Sequence, residues 1–144
     1  MKFAGERIKN HKRRGEWAEL VFMARAAELG FMPLRPWGES SAYDVVLEWK
    51  GQFMRVQVKS TTHREYNSYV CMTRSTTNHY FPYSPKDIDF MAVYVVPEDK
   101  WYVLPAKVAA KLAGNIWLSP HKKGHKYEAF LEAWELFREW GRKK

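Results

Sequence analysis

The stretch YDVVLEWKGQFMRVQVKS, residues 43–60, decides how this chain folds. It contains two runs rich in β-branched and aromatic residues, and only Lys50-Gly51 separates them. This pattern predicts a β-hairpin with a tight turn. The predicted strands are Tyr43–Trp49 and Gln52–Ser60. If the hairpin turns on Lys50-Gly51, Asp44 lies directly opposite Gln57.

The two faces of this hairpin differ in polarity. Strand alternation puts Asp44, Gln57 and Lys59 on one face, where opposed Cβ atoms are about 4.5–5.5 Å apart. The other face is an apolar surface that has to pack on a core; it consists of Tyr43, Val45, Leu47, Trp49, Met54, Val56 and Val58. Burial of that face does not explain the polar cluster, which is either functional or an ordinary solvated surface.

The polar cluster has the chemistry for metal-assisted phosphodiester hydrolysis. Asp44 and the amide oxygen of Gln57, helped by the main-chain carbonyl of Val58, supply the hard oxygen ligands that Mg²⁺ prefers. Such an ion can activate a water and stabilise the charge that develops on phosphorus oxygens. The ammonium of Lys59 would orient or deprotonate the nucleophile and offset negative charge.

The sequence around the hairpin predicts a mixed sheet with helices on either side of it in the chain. Apolar residues recur at helical spacing over residues 13–29, and Gly30 supplies a stop. Further strands are predicted over residues 31–35, 69–73, 90–96 and 101–104, a short helix over 105–113, a basic loop over 119–126, and a closing helix over Tyr127–Trp140 with Phe130, Trp134 and Phe137 on one face. The centrally clustered strands predict an α/β or α+β domain.

Length and composition set limits on the class of protein. The chain has 144 residues, 46% hydrophobic and 28% charged, which suits one folded domain over residues 1–144. Its longest apolar stretch, residues 90–96, is far below the roughly 20 residues of a spanning helix. A single cysteine, Cys71, excludes an internal disulfide and a multi-cysteine zinc site. With no secretory signal apparent, we expect a cytoplasmic protein with no membrane partner.

The net charge of +8 is concentrated at the two ends of the chain. Residues 1–14 hold six Lys or Arg and one Glu, residues 121–144 hold seven and four, and the middle is balanced. A neutral body with a basic N-terminal arm (1–14) and a basic C-terminal loop and helix (119–144) favours contact with a phosphate backbone. A merely solubilising surplus of charge is the alternative. The candidate nucleic-acid contacts are Lys12, Arg13, Arg14, Ser60, Thr61, Arg74, Asn78, Tyr83, Lys122 and Lys123.

Three segments together resemble the PD-(D/E)xK nuclease superfamily. In YDVVLEWKGQFMRVQVKS, Asp44 matches the acid of the first strand, and Gln57-Val58-Lys59 matches the D/E/Q-x-K triplet of its hairpin partner. RRGEWAELVFMARAAELGF (13–31) is similar to the first helix of that fold, and DIDFMAVYVVPEDKWYVLP (87–105) to a later hairpin. The nearest resemblance is to the Q-x-K branch with group I intron homing endonucleases, and to archaeal Holliday-junction resolvases.

The resemblance implies a restriction-endonuclease-like α/β fold, with a mixed central β-sheet flanked by helices. It implies a Mg²⁺-dependent DNA endonuclease, with Mn²⁺ able to substitute, in which Asp44 and Gln57 hold the metal and Lys59 serves the attacking water. Glu16 or Glu19, in the first helix, would add a further carboxylate to the metal site. Gln57 carries one negative charge less than the usual Asp or Glu, so we expect weaker metal binding.

The resemblance also implies double-stranded or branched DNA as substrate and a homodimer or homotetramer, because two cuts need two active sites. The apolar strands and the Trp-rich terminal helix are the expected interface. Two other functions stay open from the sequence. One is a Holliday-junction resolvase-like nuclease, and the other is a non-catalytic nucleic-acid-binding protein that retains the nuclease fold.

Overall fold

The structure is a computed structural model that describes residues 7–74 and 83–141. Asn78, the first six residues of the basic arm and residues 142–144 lie outside the described residues. In the described ranges the α-helices are α1 (His11–Glu28), α2 (Ala106–Ala109) and α3 (Glu135–Trp140), and the strands are β1 (Met32–Leu34), β2 (Val45–Trp49), β3 (Gln52–Thr61), β4 (Arg64–Glu65), β5 (Ser68–Met72), β6 (Phe90–Val95), β7 (Lys100–Pro105) and β8 (Asn115–Leu118). No helix among these residues is long and apolar enough to cross a membrane.

The main sheet has five strands in the order β1-β2-β3-β6-β7. The β2–β3 hairpin has the predicted register, with Val45 opposite Val56 and Trp49 opposite Gln52. Strands β3 and β6 are parallel, and the other neighbours are antiparallel. All six residues of β6 are buried, as expected for a strand inside a sheet that is covered on both faces. The predicted mixed sheet with flanking helices is confirmed.

Helix α1 covers one face of this sheet. The side chain of Asn10 caps the helix by accepting a hydrogen bond from the N–H of Arg13 at 2.9 Å. Ala18, Phe22 and Ala26 recur every four residues and are buried, so one stripe of the helix faces the sheet. Together with the inward side chains of β2 and β3 and with Phe137 of α3, these three residues form a hydrophobic core, here called the first core.

A second core lies on the opposite face of the main sheet, under a smaller sheet of order β4-β5-β8. Tyr69 and Cys71 of β5 and Ile116 and Leu118 of β8 point into it. The predicted strand over residues 69–73 is therefore present, but it belongs to this second sheet. Strand β8 was not predicted, because the exposed Trp117 breaks the alternation of polar and apolar residues that would mark its four residues as a strand.

The predicted closing helix over Tyr127–Trp140 is wrong, since only residues 135–140 form an α-helix there. Glu132 instead lies beside the edge strand β7 and pairs with Trp101. Its N–H donates to the Trp101 carbonyl at 2.7 Å, and its carboxylate accepts from the Trp101 N–H at 2.6 Å. The open edge of β7 offers unpaired backbone groups that an unbroken helix would leave unsatisfied.

This interruption separates the three aromatic residues that were expected on one helix face. Trp134 and Phe137 enter the first core, whereas Phe130 packs against the second. Trp134 is 6% exposed, and β6 and the middle of β7 are buried, so these parts of the expected interface pack inside the protein's own cores. Tyr43 was predicted to lie in the first strand of the hairpin, on its apolar face. Strand β2 instead begins at Val45, and Tyr43 packs against the second core.

We expect Glu132→Ala to lower the free energy of unfolding by about 2 kcal/mol, because a hydrogen bond to a charged group contributes roughly 1.5–3 kcal/mol and Trp101 would lose its acceptor. Urea unfolding followed by circular dichroism measures the change. Glu135→Ala, at the exposed start of α3, is the matched control and should cost less than about 1 kcal/mol. Equal losses in the two variants would contradict the role of Glu132.

Candidate active site

An open groove of about 910 Å³ lies between the first half of α1 and the β2–β3 hairpin. The second half of β5, with Arg35, Pro36, Gly38 and Glu39, completes its walls. All five predicted catalytic residues line this groove: Glu16, Glu19, Asp44, Gln57 and Lys59. Helix packing across the hairpin thus brings together side chains that are distant in the sequence.

Asp44 is fixed at the point where β2 begins. Its N–H donates to the Val56 carbonyl at 2.9 Å, and its carboxylate accepts from the Val58 N–H at 2.9 Å. Burial raises the pKa of Asp44 above its ordinary value, although the Val58 hydrogen bond and the charge of Lys59 act in the opposite direction. The carboxylate is therefore held in one position and incompletely solvated, which favours its binding to a cation.

Gln57 and Val58 contribute neutral oxygens next to this carboxylate. The Gln57 side chain is 8% exposed, and its Nε2 donates to the Val58 carbonyl at 3.4 Å. Because the amide nitrogen makes this contact, the amide oxygen is the side-chain atom able to bind a cation. Both residues line the groove.

Glu19 is the helix acid that interacts electrostatically with Asp44. Burial, and then the charge of Asp44, raise the pKa of Glu19 to about 7, against a smaller opposing effect of Arg35. Arg35 Nη2 lies 3.3 Å from Glu19 Oε1. Glu16 also lines the groove, but its side chain is exposed. The geometry favours Glu19 as the carboxylate next to Asp44.

Lys59 is held by both ends of the segment that connects β5 with β6. Its Nζ donates to the Arg74 carbonyl at 3.1 Å and lies 5.3 Å from the centre of the Tyr83 ring. Burial lowers the pKa of Lys59, and the charge of Asp44 acts against this shift. The ammonium is therefore positioned at the groove by a carbonyl and an aromatic face.

This set of donors fits a hard divalent cation. Two partly desolvated carboxylates, from Glu19 and Asp44, adjoin the amide of Gln57 and the carbonyl of Val58. Within residues 7–74 and 83–141, no three His, Cys, Asp or Glu side chains form a metal-binding group. The site therefore supplies only part of an octahedral shell, which suits an ion such as Mg²⁺ that keeps several waters.

The predicted phosphate contacts at the start of α1 and at Ser60 of β3 differ in whether they line the groove. Lys12 and Arg14 line it, and Arg14 Nη1 donates to Thr62 Oγ1 at 3.3 Å. Arg13 is exposed but does not line the groove. Ser60 is half-buried in the groove wall.

Two of the predicted nucleic-acid contacts, Thr61 and Tyr83, have buried side chains, and their contact with DNA stays a prediction. Thr61 is 4% exposed, and its hydroxyl bonds to the Val70 carbonyl at 2.6 Å and the His63 N–H at 3.0 Å. Tyr83 is also 4% exposed and lies beside Lys59. Strand ends and loops expose many polar side chains, so the sequence pattern alone could not separate these two from solvated residues.

The other predicted contacts are exposed but outside this groove. Arg74 lies over the start of β8, where a Cβ added to Gly114 would collide with its guanidinium. Lys122 and Lys123 are exposed in the basic loop over residues 119–126, and Lys122 lines a different concave surface.

Sequence reasoning missed Arg35 and the positioning role of Tyr83. Arg35 follows the edge strand β1 and offsets the negative charge of both Glu19 and Asp44. The sequence offers one signal for Arg35. It is a basic residue directly after the strand that follows the helix with Glu16 and Glu19. For Tyr83 the sequence offers no signal, because its contact with Lys59 depends on how the chain returns to the sheet.

Comparison with known proteins bears on the family and the fold. Residues 9–137 match the family model described as PD-(D/E)XK endonuclease. The fold is similar to the solved structure of a bacterial homing endonuclease, I-Ssp6803I, with a TM-score of 0.81 and 28% sequence identity. That match covers 94% of this chain and 96% of the other. A search of curated proteins found none that matches the sequence.

We expect Glu19→Gln to stabilise the protein at pH 8 in EDTA. The pKa of Glu19 is raised in the folded state, so its contribution to stability is present below its ordinary value of 4.5 and is lost as pH rises through about 7. The amide removes the charge that is costly at pH 8. After discounting for partial solvation of the carboxylate, the gain is about 1 kcal/mol at pH 8 and smaller at pH 5.

Urea unfolding at the two pH values measures this difference. Glu16→Gln removes a carboxylate from the exposed part of the same groove wall and is the matched control. A gain at pH 8 that is as large in Glu16→Gln as in Glu19→Gln would show that general charge reduction, rather than burial of Glu19, causes the effect.

Proposed function

Because the chain belongs to the PD-(D/E)XK endonuclease family, it is a nuclease, and we propose that it is a Mg²⁺-dependent endonuclease that cleaves double-stranded DNA. The observation that carries this proposal is the single groove in which Asp44, Glu19 and Lys59 meet. The similarity to a bacterial homing endonuclease supports a DNA duplex as the substrate. We propose that Mn²⁺ can replace Mg²⁺, since both are hard ions that bind oxygen ligands.

In this proposal, Asp44, Glu19, Gln57 and the Val58 carbonyl hold the divalent cation. When bound, the cation supplies Lewis acidity to a water and to the scissile phosphate. The Val58 N–H keeps the Asp44 carboxylate in position. Arg35 reduces the repulsion between the two carboxylates before the cation binds.

Lys59 acts on the attacking water and on the phosphate. Its Nζ uses one hydrogen bond on the Arg74 carbonyl, and an ammonium has three donors. The remaining donors can orient the water and stabilise negative charge on the phosphate oxygens as phosphorus is attacked. Lys12 and Arg14, on the groove wall, are proposed to bind phosphates of the DNA backbone.

We expect Asp44→Asn and Lys59→Met each to reduce Mg²⁺-dependent nicking of supercoiled plasmid at least about 100-fold. Asparagine retains an acceptor for the Val58 N–H, and methionine retains most of the apolar length of lysine, so both variants should fold. Agarose gels of single-turnover reactions with Mg²⁺, Mn²⁺ or EDTA measure the rate. Lys86→Met, an exposed lysine outside the groove, is the control.

Two outcomes would contradict the proposed function. One is plasmid binding by the wild type without cleavage of plasmid or genomic DNA in either metal, which would indicate a binding protein. The other is unchanged cleavage by correctly folded Lys59→Met, which would remove the lysine from the chemistry.

We also propose that the protein acts as a symmetric oligomer, because one groove per chain cuts one strand at a time. The outer face of β1–β3 carries exposed apolar side chains that the core does not use. Met32 is 59% exposed, Phe53 is 58% exposed, and both flank Glu48 across the sheet. A second copy of the chain would bury this face.

Met32→Glu with Phe53→Glu should therefore halve the mass measured by sedimentation, because the charges would be buried against a second copy. The variant should keep its thermal stability as a single chain. Tyr66→Glu, at a 92% exposed tyrosine elsewhere, is the control. A wild-type protein that is monomeric with and without DNA would overturn this proposal.

A further inference from the structure

The small sheet has an outer face that no described element covers. Cross-strand pairing places Val70 opposite Trp117 and Met72 opposite Asn115. These four side chains, here called the outer sheet face, alternate with the buried residues of the second core. Met72 is 53% exposed and Trp117 is 46% exposed. Two large apolar side chains thus lie in solvent on a rigid strand pair.

The outer sheet face connects two concave surfaces. On one side, Val70 and Met72 line the active-site groove. On the other side, Asn115 and Trp117 line a second hollow of about 590 Å³. Because directly paired residues of neighbouring strands have Cβ atoms about 4.5–5.5 Å apart, the surface runs without a gap from the catalytic residues to this hollow.

The second hollow is strongly basic. Its lining includes Lys111, Lys122 and Lys126 and contains no carboxylate among the described residues. The loop that carries two of these lysines is tied to the core by His125, whose ring contacts the Tyr102 hydroxyl and the Lys122 carbonyl, each at 2.8 Å. The lysines are therefore presented by an anchored backbone.

A further basic group, Arg74, lies at the end of the outer sheet face. Thr73 donates its N–H to the Gly114 carbonyl at 2.8 Å, which joins the end of β5 to the start of β8. Gly114 has a φ of +111° and no side chain, so the Arg74 guanidinium can lie directly across it. Arg74 is exposed in this position, next to the Met72 and Asn115 pair.

We propose that the outer sheet face binds duplex DNA beside the cleavage point, with Trp117, Met72 and Asn115 contacting sugars and base edges in a groove. Lys122, Lys126 and Arg74 then contact the phosphates on either side. This rests on the proposed nuclease function. The charge selects the occupant, because a polyanion matches the lysines, whereas a second copy would bring like charges together.

The outer sheet face and the basic residues beside it contribute to the affinity for DNA in two separate ways. Lysine contacts with phosphates position the duplex and give salt-dependent affinity. Apolar and amide side chains contact thymine methyls, sugars and base edges, and their contribution depends much less on salt. This difference allows the two sets of residues to be tested separately.

The test measures binding of a fluorescein-labelled linear duplex by anisotropy in EDTA, over a series of NaCl concentrations. Trp117→Ala should weaken binding about tenfold through loss of buried apolar contact area, with an unchanged salt slope. Trp117→Tyr should retain most of the affinity. Lys122→Ala with Lys126→Ala should lower the slope of log K against log[NaCl] by about 1.8.

Lys86→Ala with Lys107→Ala is the matched control, because it removes the same charge from two exposed lysines outside both concave surfaces. Thermal unfolding checks that each variant folds. Single-turnover cleavage at saturating enzyme should stay within about threefold of wild type in this control variant, because neither lysine belongs to the catalytic residues or to the outer sheet face.

Each contrary result has a distinct meaning. If the wild type nicks plasmid with Mg²⁺ but all outer-face variants bind DNA like the control, the inference is overturned and the nuclease function stands. If Trp117→Ala changes the oligomeric state and leaves DNA binding intact, the face is a protein interface and the inference fails. A wild type that neither binds nor cleaves DNA removes the proposed function, and the inference with it.

Discussion

The hydrogen bond from the Val58 N–H to the Asp44 carboxylate links the fold of this protein to its chemistry. It forms only if β2 and β3 pair in the register set by the Lys50-Gly51 turn, because a slip of one residue would turn every side chain to the other face. With that register, Val45, Leu47 and Val56 enter the first core, and Asp44, Gln57 and Lys59 enter the groove. Burial of the apolar face of the hairpin thus also fixes which residues face the groove.

The groove concentrates charge that the fold does not fully compensate. Burial raises the pKa values of Asp44 and Glu19 and lowers that of Lys59, so each group is less favourable in its charged form than it would be in water. Arg35 and the Val58 N–H offset part of this cost. A bound divalent cation would offset more, which links metal binding to stability. Functional sites in many proteins are stabilised less than the rest of the structure for this reason.

Two rigid supports place this site next to a surface large enough for a macromolecule. Arg55 binds Asp89 through both carboxylate oxygens and also donates to the Pro85 and Lys86 carbonyls, which anchors the chain where it enters β6. Tyr83 and the Arg74 carbonyl, at the two ends of the same connection, hold Lys59. The small sheet built on β5 then extends the groove wall towards the basic loop. Lys59 and the outer sheet face therefore share one framework.

The sequence by itself determined the hairpin, its register, the first helix and the three polar residues on one face, because these depend on local periodicity and on a two-residue turn. The tertiary structure decided the remainder. It interrupted the expected closing helix at Glu132, because the edge of β7 needed hydrogen-bond partners from a distant segment. It buried Thr61 and Tyr83, brought Arg35 to the two carboxylates and placed β8 beside β5. These outcomes depend on contacts between residues far apart in the chain, and such contacts leave no periodic pattern in the sequence.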